Sequence, residues 1–232
     1  MFRLVHACCG RDEDTSAYYL SFRTYNKLRI CNSRKSLVIQ MDEDFKEAAK
    51  FHGHICPGLA IGYRVAKYVK EHYPRSVDEE LVCIAENNSC SVDALQATLG
   101  CTFGKGNLIF KDFGKQAFTI YSRNNGKALR IYFKGDVLDG MDDLRKRYFN
   151  GTLSPEEKQK LDMLREDAIK KILTAPDEEM LSVREVEIPE PEKARIYPSV
   201  RCQECGESFM EIRGRTASGK LVCQECFEKM IC

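Results

Sequence analysis

Two stretches of this chain crowd metal-ligating side chains together. Cys202-Gln-Glu-Cys205 and Cys223-Gln-Glu-Cys226 are separated by seventeen residues. Each pair offers two soft thiolates from one tight turn, and two such pairs at this spacing close a tetrahedron around zinc. A segment of about 35 residues buries too little surface to fold alone, so metal binding would supply its folding energy. Two matched pairs favour structure over a thioredoxin-like redox role. Cys202, Cys205, Cys223 and Cys226 are therefore expected to hold a structural zinc, with Phe209, Ile212, Leu221, Val222 and Phe227 as a minimal core.

The other stretch is Phe51-His52-Gly53-His54-Ile55-Cys56-Pro57-Gly58, with two of the chain's four histidines and one cysteine inside five residues. It leads into a helix start, where free N–H groups and the helix dipole stabilise a thiolate at Cys56. Cys90, in Asn87-Asn88-Ser89-Cys90-Ser91-Val92-Asp93, precedes a second helix in the same way. If the two helix starts converge, His52 or His54, Cys56 and Cys90 meet, with Asp93 or Cys101 as a further candidate. An open site needs three protein donors plus water. Imidazole beside thiolate suits zinc and other transition metals, so a second metal, expected to be zinc, is placed here. Cys83 lies in an apolar strand and reads as packing, while Cys101 stands open between ligand and core. Lys105, between Gly104 and Gly106, could face an anion, although the loop lacks P-loop spacing.

The elements that must position these groups read as α+β. Residues 42–50 open on acidic side chains, as a helix start does. Residues 57–73 form a longer helix with Pro57 in its first turn and a wide apolar face. Gly58, Gly62 and Ala66 lie one turn apart, which lets a neighbouring backbone approach. Ser91 can cap a helix over 92–99 that Gly100 ends. Strands are expected over 81–85, 108–110, 117–123 and 128–134, the last two joined through Asn124-Asn125-Gly126, a hairpin signal. Helices follow over 141–149 and 154–173, the second opened by Ser154-Pro155-Glu156-Glu157, a capping box. Pro189, Pro191 and Pro198 then impose a semi-rigid extended connector.

Length and charge set the organisation. The chain has 232 residues, twelve of them cysteine, and a formal net charge of +1. We divide it into an N-terminal extension over 1–40, non-native or disordered, an α+β metal-binding core over 41–138, a helical then Pro-rich linker over 139–198 and a zinc finger over 199–232. Their side-chain charges are +4, +1, −4 and 0. Near-neutral core and finger argue against a phosphate-driven nucleic-acid binder. The longest apolar runs fall short of the roughly 18–20 residues that span a bilayer. The first residues lack the basic-then-apolar layout of a secretory signal. A cytoplasmic, reducing location is expected, where clustered cysteines point to metal before disulfides. Cys8, Cys9 and Cys31 fall in the extension, and Cys232 is a terminal spare.

The finger, from Cys202-Gln-Glu-Cys-Gly-Glu to Gly219-Lys-Leu-Val-Cys-Gln-Glu-Cys226-Phe, resembles the four-cysteine finger of the TraR/DksA type. Over residues 41–138, three ordered motifs resemble the E-subunit family of formylmethanofuran dehydrogenase: Phe-His-Gly-His-Ile-Cys-Pro-Gly, Cys-Ser-Val-Asp-Ala-Leu-Gln and Gly-Cys-Thr-Phe-Gly-Lys-Gly-Asn-Leu. The linker and finger match one branch of that family, and the extension departs from it. The resemblance implies helices packed on a mainly antiparallel sheet, a His/Cys metal site, a treble-clef finger and a homodimer. It also implies partnership with subunits of a molybdenum or tungsten oxidoreductase, whose pterin chemistry belongs to other chains.

The leading expectation is therefore a metal-binding accessory protein whose finger docks a partner or a second copy. The alternative is a free-standing metal-dependent enzyme with His52 or His54 as acid/base and Cys56 or Cys90 as ligand or nucleophile. A weaker alternative is a regulator whose finger contacts nucleic acid or RNA polymerase.

Overall fold

The structure, a computed structural model, describes residues 42–231. The expected extension, with Cys8, Cys9 and Cys31, lies outside the described residues, as does Cys232. Asp42 caps the first helix, α1 (Glu43–His52), by accepting the Phe45 N–H at 3.0 Å. After Gly53, Cys56 opens α2 (Pro57–Lys70), and the chain continues into β1 (Leu81–Ala85) and α3 (Ser91–Leu99). Next come β2 (Leu108–Phe110), β3 (Ala117–Ser122) and β4 (Lys127–Phe133). The β3–β4 hairpin closes on the Ser122–Lys127 pair, with the Lys127 N–H on Asn125 Oδ1 at 3.0 Å. Two helices, α4 (Asp142–Phe149) and α5 (Pro155–Thr174), lead through the short α6 (Asp177–Met180) into β5 (Leu181–Val186).

The expected α+β architecture is present. Five strands run in the order β2-β1-β3-β4-β5, with β1–β2 parallel and every other pair antiparallel. Side chains alternate across a strand, so one face of the sheet takes Cys83, Ile120 and Ile131 and the other takes Val82 and Tyr121. The first face packs under the helices in a single core with Phe45, Leu59, Val65, Leu95, Leu99 and Ile172, all essentially without exposure. Each such side chain contributes about 1.5–3 kcal/mol by leaving water.

Within that layer α2 and α3 touch backbone to backbone. A Cβ built on Gly62 would overlap the Ser91 carbonyl oxygen, and one on Gly58 would stand 3.1 Å from Cys90 Cβ. The neighbour expected at the glycine stripe is thus the start of α3.

Three features differ from the sequence reading. Ser91 is the first residue of α3 rather than its cap; its hydroxyl turns inward to Asn87 and Gln116, at 3.2 and 3.1 Å. The sheet also takes a fifth strand from residues 181–186, which have no apolar alternation strong enough to announce one. β5 is held there by pairing along its whole length with β4, and Arg64 anchors the turn that leads into it, reaching from α2 to Asp177 at 2.6 Å and to the carbonyls of Ile172 and Ala175. Finally, the Pro-rich connector lies along the second face of the sheet. Ile188 packs on the cluster of Val82, Tyr121 and Ala128. The Arg123 guanidinium binds the Glu190 carboxylate at 2.7 Å and the carbonyls of Pro191 and Glu192 at 2.8 and 3.3 Å. By contrast, the Ser154–Glu157 capping box forms as read, with both reciprocal bonds made.

The C-terminal segment has two small hairpins, β6 (Ser199–Arg201) with β7 (Ser208–Met210) and β8 (Arg215–Ala217) with β9 (Lys220–Val222), then α7 (Gln224–Ile231). With its four cysteines this is a small zinc-finger-like unit. Among the described residues, no helix is long and apolar enough to cross a membrane.

Gly62→Ala tests the helix contact. Alanine should gain about 1 kcal/mol in helix propensity but force α2 from α3, so a net loss of about 2 kcal/mol is expected, read as a lower urea midpoint. An unchanged midpoint would show that the two backbones are not in contact.

Candidate metal centre

The core site is assembled where α1 ends and α2 and α3 begin. His52 is the last residue of α1, and Gly53 follows it in the left-handed region at φ 92°, turning the chain back toward α2. Cys56 has extended backbone and caps α2, its Sγ accepting the Leu59 N–H at 3.4 Å; Pro57 has no N–H to offer there. Cys90 is different. Its backbone is already helical and its thiol makes no cap hydrogen bond. Both cysteines stand at the N-cap of their helix, as expected, but only Cys56 caps it; Asn87 and Ser89 wind the turn before Cys90.

The three groups converge. Sγ of Cys56, Sγ of Cys90 and a ring nitrogen of His52 all lie within 4.8 Å of one another, and His52 Nε2 is 3.8 Å from Cys56 Sγ. Tetrahedral zinc with Zn–S near 2.3 Å and Zn–N near 2.0 Å keeps its donors roughly 3.5–3.8 Å apart. One imidazole and two sulfurs at this separation fit such an ion with small adjustments. The Cys90 thiol is held well above its usual range, first by its hydrogen bond with Cys56 and then by burial. A cation between the two sulfurs would remove that penalty.

The other sequence candidates fall in different places. Asp93 stands behind His52, its Oδ2 2.7 Å from Nδ1, outside the three-donor group. His54 is exposed and lays its ring against that of His52, centroids 4.4 Å apart, also outside the group. Cys101 is fully buried with its Sγ 3.6 Å from the Leu81 carbonyl, which assigns it to the core. Burial pushes its thiol up to about 12. Cys83 is packing, as read; burial first, and Cys101 beside it second, raise its thiol as well. Lys105 turns its Nζ to the carbonyls of Val77 and Asp78, at 3.2 and 2.7 Å. Sequence reading missed the pairing of Asp93 with His52 and the part played by Gln96, whose amide Nε2 donates to Asp93 Oδ1 at 3.2 Å. The spacing of Cys90, Asp93 and Gln96, three residues apart along one edge of α3, was the available signal.

The second centre is the four-cysteine cluster. Its sulfurs lie within 4.8 Å of one another, Cys205 and Cys223 being 4.0 Å apart, close to the roughly 3.8 Å edge of a zinc–thiolate tetrahedron. The first knuckle is pinned to the second hairpin by two bonds, Gln203 N–H to the Leu221 carbonyl at 3.0 Å and Leu221 N–H to Gln203 Oε1 at 2.6 Å. Desolvation opposes ionisation of Cys202, but the N–H groups of Cys205, Cys223 and Glu204 outweigh it and bring the thiol down to about 6. Desolvation, then hydrogen bonds to Cys223, Cys205 and Cys202, push Cys226 up to about 12. A metal needs all four as thiolates, so its binding would release the protons that Cys205 and Cys226 hold most firmly. These four cysteines fit a metal by donor chemistry and spacing.

Comparisons with known proteins agree with this layout. A family model described as "FmdE, Molybdenum formylmethanofuran dehydrogenase operon" matches residues 51–182, more than half of the chain, including the whole core site. A curated protein of Archaeoglobus fulgidus, described as a probable S-adenosyl-L-methionine-binding protein, is 34% identical over 178 residues. The match takes in 72% of this chain and 48% of that protein, so the chain spans about half the length of the relative. The crystal structure of a tungsten formylmethanofuran dehydrogenase FmdE-like protein from Syntrophus aciditrophicus superimposes with a TM-score of 0.53 at 24% identity. That likeness covers 86% of this chain and 98% of the other and is one of fold.

The placement of Cys101 is checked by Cys101→Ala. Stability should fall by about 1 kcal/mol from the small void, while the metal content of the purified chain stays that of the parent. Loss of an ion on this substitution would return Cys101 to the ligand set.

Proposed function

The chain belongs to the FmdE family, and from that premise we propose that it is a metal-binding accessory protein of a molybdenum or tungsten formylmethanofuran dehydrogenase-type oxidoreductase. The observation that carries the proposal is the convergence of His52, from the end of one helix, with Cys56 and Cys90, from the starts of two others, onto one point. In this reading these three residues hold a zinc-like ion, and His54, at the solvent edge, stands ready as a fourth donor or as a contact for a bound small ligand. An ion bound there would supply Lewis-acid chemistry at whatever position the protein donors leave to water or ligand. The chain's own part is to present the donors without strain, to orient His52 through Asp93 and to keep Cys56 hydrogen-bonded to the Leu59 N–H.

The finger would take a structural zinc on Cys202, Cys205, Cys223 and Cys226 and serve partner or dimer contacts. Its surface charges support protein rather than phosphate recognition, since Lys220 pairs with Glu204 at 2.8 Å and Lys229 with Glu225 at 2.5 Å. A homodimer, oxidoreductase subunits as partners, a cytoplasmic location and the division at 41–138, 139–198 and 199–232 belong to the same proposal. A free-standing metal-dependent enzyme is the second reading, favoured by one observation: Cys56, Cys90 and His52 are only partly buried and His54 is exposed, so a small molecule can reach the site.

Metal analysis of the full chain should return two zinc-like ions, one lost with Cys202→Ser and the other with Cys56→Ser. A single ion that vanishes with Cys202→Ser would end the core-site reading. An accessory protein should co-purify with oxidoreductase subunits; turnover without them that depends on Cys56 would favour the enzyme instead.

A further inference from the structure

Behind the core site runs a chain of hydrogen bonds whose direction is fixed at its far end. The Phe103 N–H is a backbone donor and cannot be reversed. It lies 3.2 Å from Gln96 Oε1, which settles the end of that side chain that carries oxygen. The Gln96 amide nitrogen is therefore the donor facing Asp93 Oδ1, at 3.2 Å. Asp93 Oδ2 stands 2.7 Å from His52 Nδ1. A carboxylate has only acceptors, so the imidazole proton belongs on Nδ1. Nε2 is left as the acceptor, its lone pair turned toward Cys56 Sγ, 3.8 Å away.

We propose that Asp93 and Gln96 are positioning residues that hold His52 in its Nδ1–H tautomer, so that Nε2 is the atom offered to a metal. The inference rests on the reading of His52, Cys56 and Cys90 as a metal site and goes beyond it by assigning the atom and the residues that select it. Carboxylate partners of this kind fix ring orientation and raise donor basicity. The role of Gln96 follows from polarity. With its oxygen committed to the Phe103 N–H, its NH₂ demands an acceptor, and with the His52 N–H on the other side Asp93 must accept twice. Only a carboxylate does that. An asparagine at position 93 would turn an NH₂ toward one of the two donors, either His52 Nδ1–H or the Gln96 amide. The loop carrying Phe103, which is 78% exposed, thereby communicates with the ring at the core site through three hydrogen bonds.

Two measurements on the full chain, its finger filled with one equivalent of zinc, test this. The first is the long-range ¹H–¹⁵N spectrum of the histidine rings before further metal is added. His52 should show the Nδ1–H pattern in the parent and a mixture in Asp93→Asn; the Nε2–H pattern in the parent would overturn the assignment without recourse to any variant. The second is a Co(II) titration followed by sulfur-to-cobalt charge-transfer absorption. Asp93→Asn should bind one Co(II) about 10- to 100-fold more weakly, Gln96→Leu should lose less in the same direction, and Asp93→Glu should recover part of the affinity. Parent-like affinity and spectrum in both Asp93→Asn and Gln96→Leu would refute the positioning role. A parent that takes up no Co(II) would refute the core site itself, whatever the tautomer of His52.

Discussion

How near α3 can come to α2 is governed by what Gly62 lacks. A methyl group there would fall on the Ser91 carbonyl, and Gly58, one turn earlier, leaves the same room beside Cys90. Glycine within a helix costs about 1 kcal/mol against alanine. Close packing of the two helices on Leu59, Leu95 and Leu99 offsets that cost several times over. The gain is also geometric. With the backbones in contact, the two helix starts bring Cys56 and Cys90 to one place, and the end of α1 delivers His52 beside them. The polar cluster of Asn87, Ser89, Ser91 and Gln116 then holds the first turn of α3 from behind. A looser helix pair would keep the fold and scatter the donors.

What could be read from the sequence was whatever depends on near neighbours. The capping box at Ser154, the hairpin at Asn124-Asn125-Gly126, the apolar run at Leu81–Ala85 and the paired Cys-x-x-Cys turns each signal themselves within a few residues. So does the glycine stripe, although its partner helix does not. The pairing of His52 with Asp93 joins positions 41 apart, and nothing local distinguishes a carboxylate that orients a ligand from one that is a ligand. Ser91 illustrates a different limit. Its type favours a cap, but Asn87 and Gln116 compete for its hydroxyl and win. β5 was hidden because Glu185 and Val186 break the alternation that Leu181, Ser182, Val183 and Arg184 begin. Its place comes from pairing with β4, well before it in sequence, and from Arg64 gripping the end of α5 that leads into it.

The near-zero charge of the chain conceals how its arginines are spent. Arg64, Arg123 and Arg130 are largely covered by protein, and each answers a carboxylate: Asp177, Glu79 with Glu190, and Glu86. A planar guanidinium suits such work because it can serve a carboxylate and backbone carbonyls together. Arg130 meets both oxygens of Glu86 at 2.8 Å, on the sheet face away from the helices. These pairs tie together parts of the fold that apolar packing does not reach.

The grip of Arg123 on the connector also sets a length. Protein contacts hold the backbone as far as Ala194, whose N–H meets Glu79 at 3.4 Å, and β6 begins at Ser199. Five residue steps of extended chain span about 17 Å. The finger is thus on a short tether, and the first cysteine of its metal cluster cannot stray further than the chain between Ala194 and Cys202 can stretch from the place where Glu79 fixes the connector.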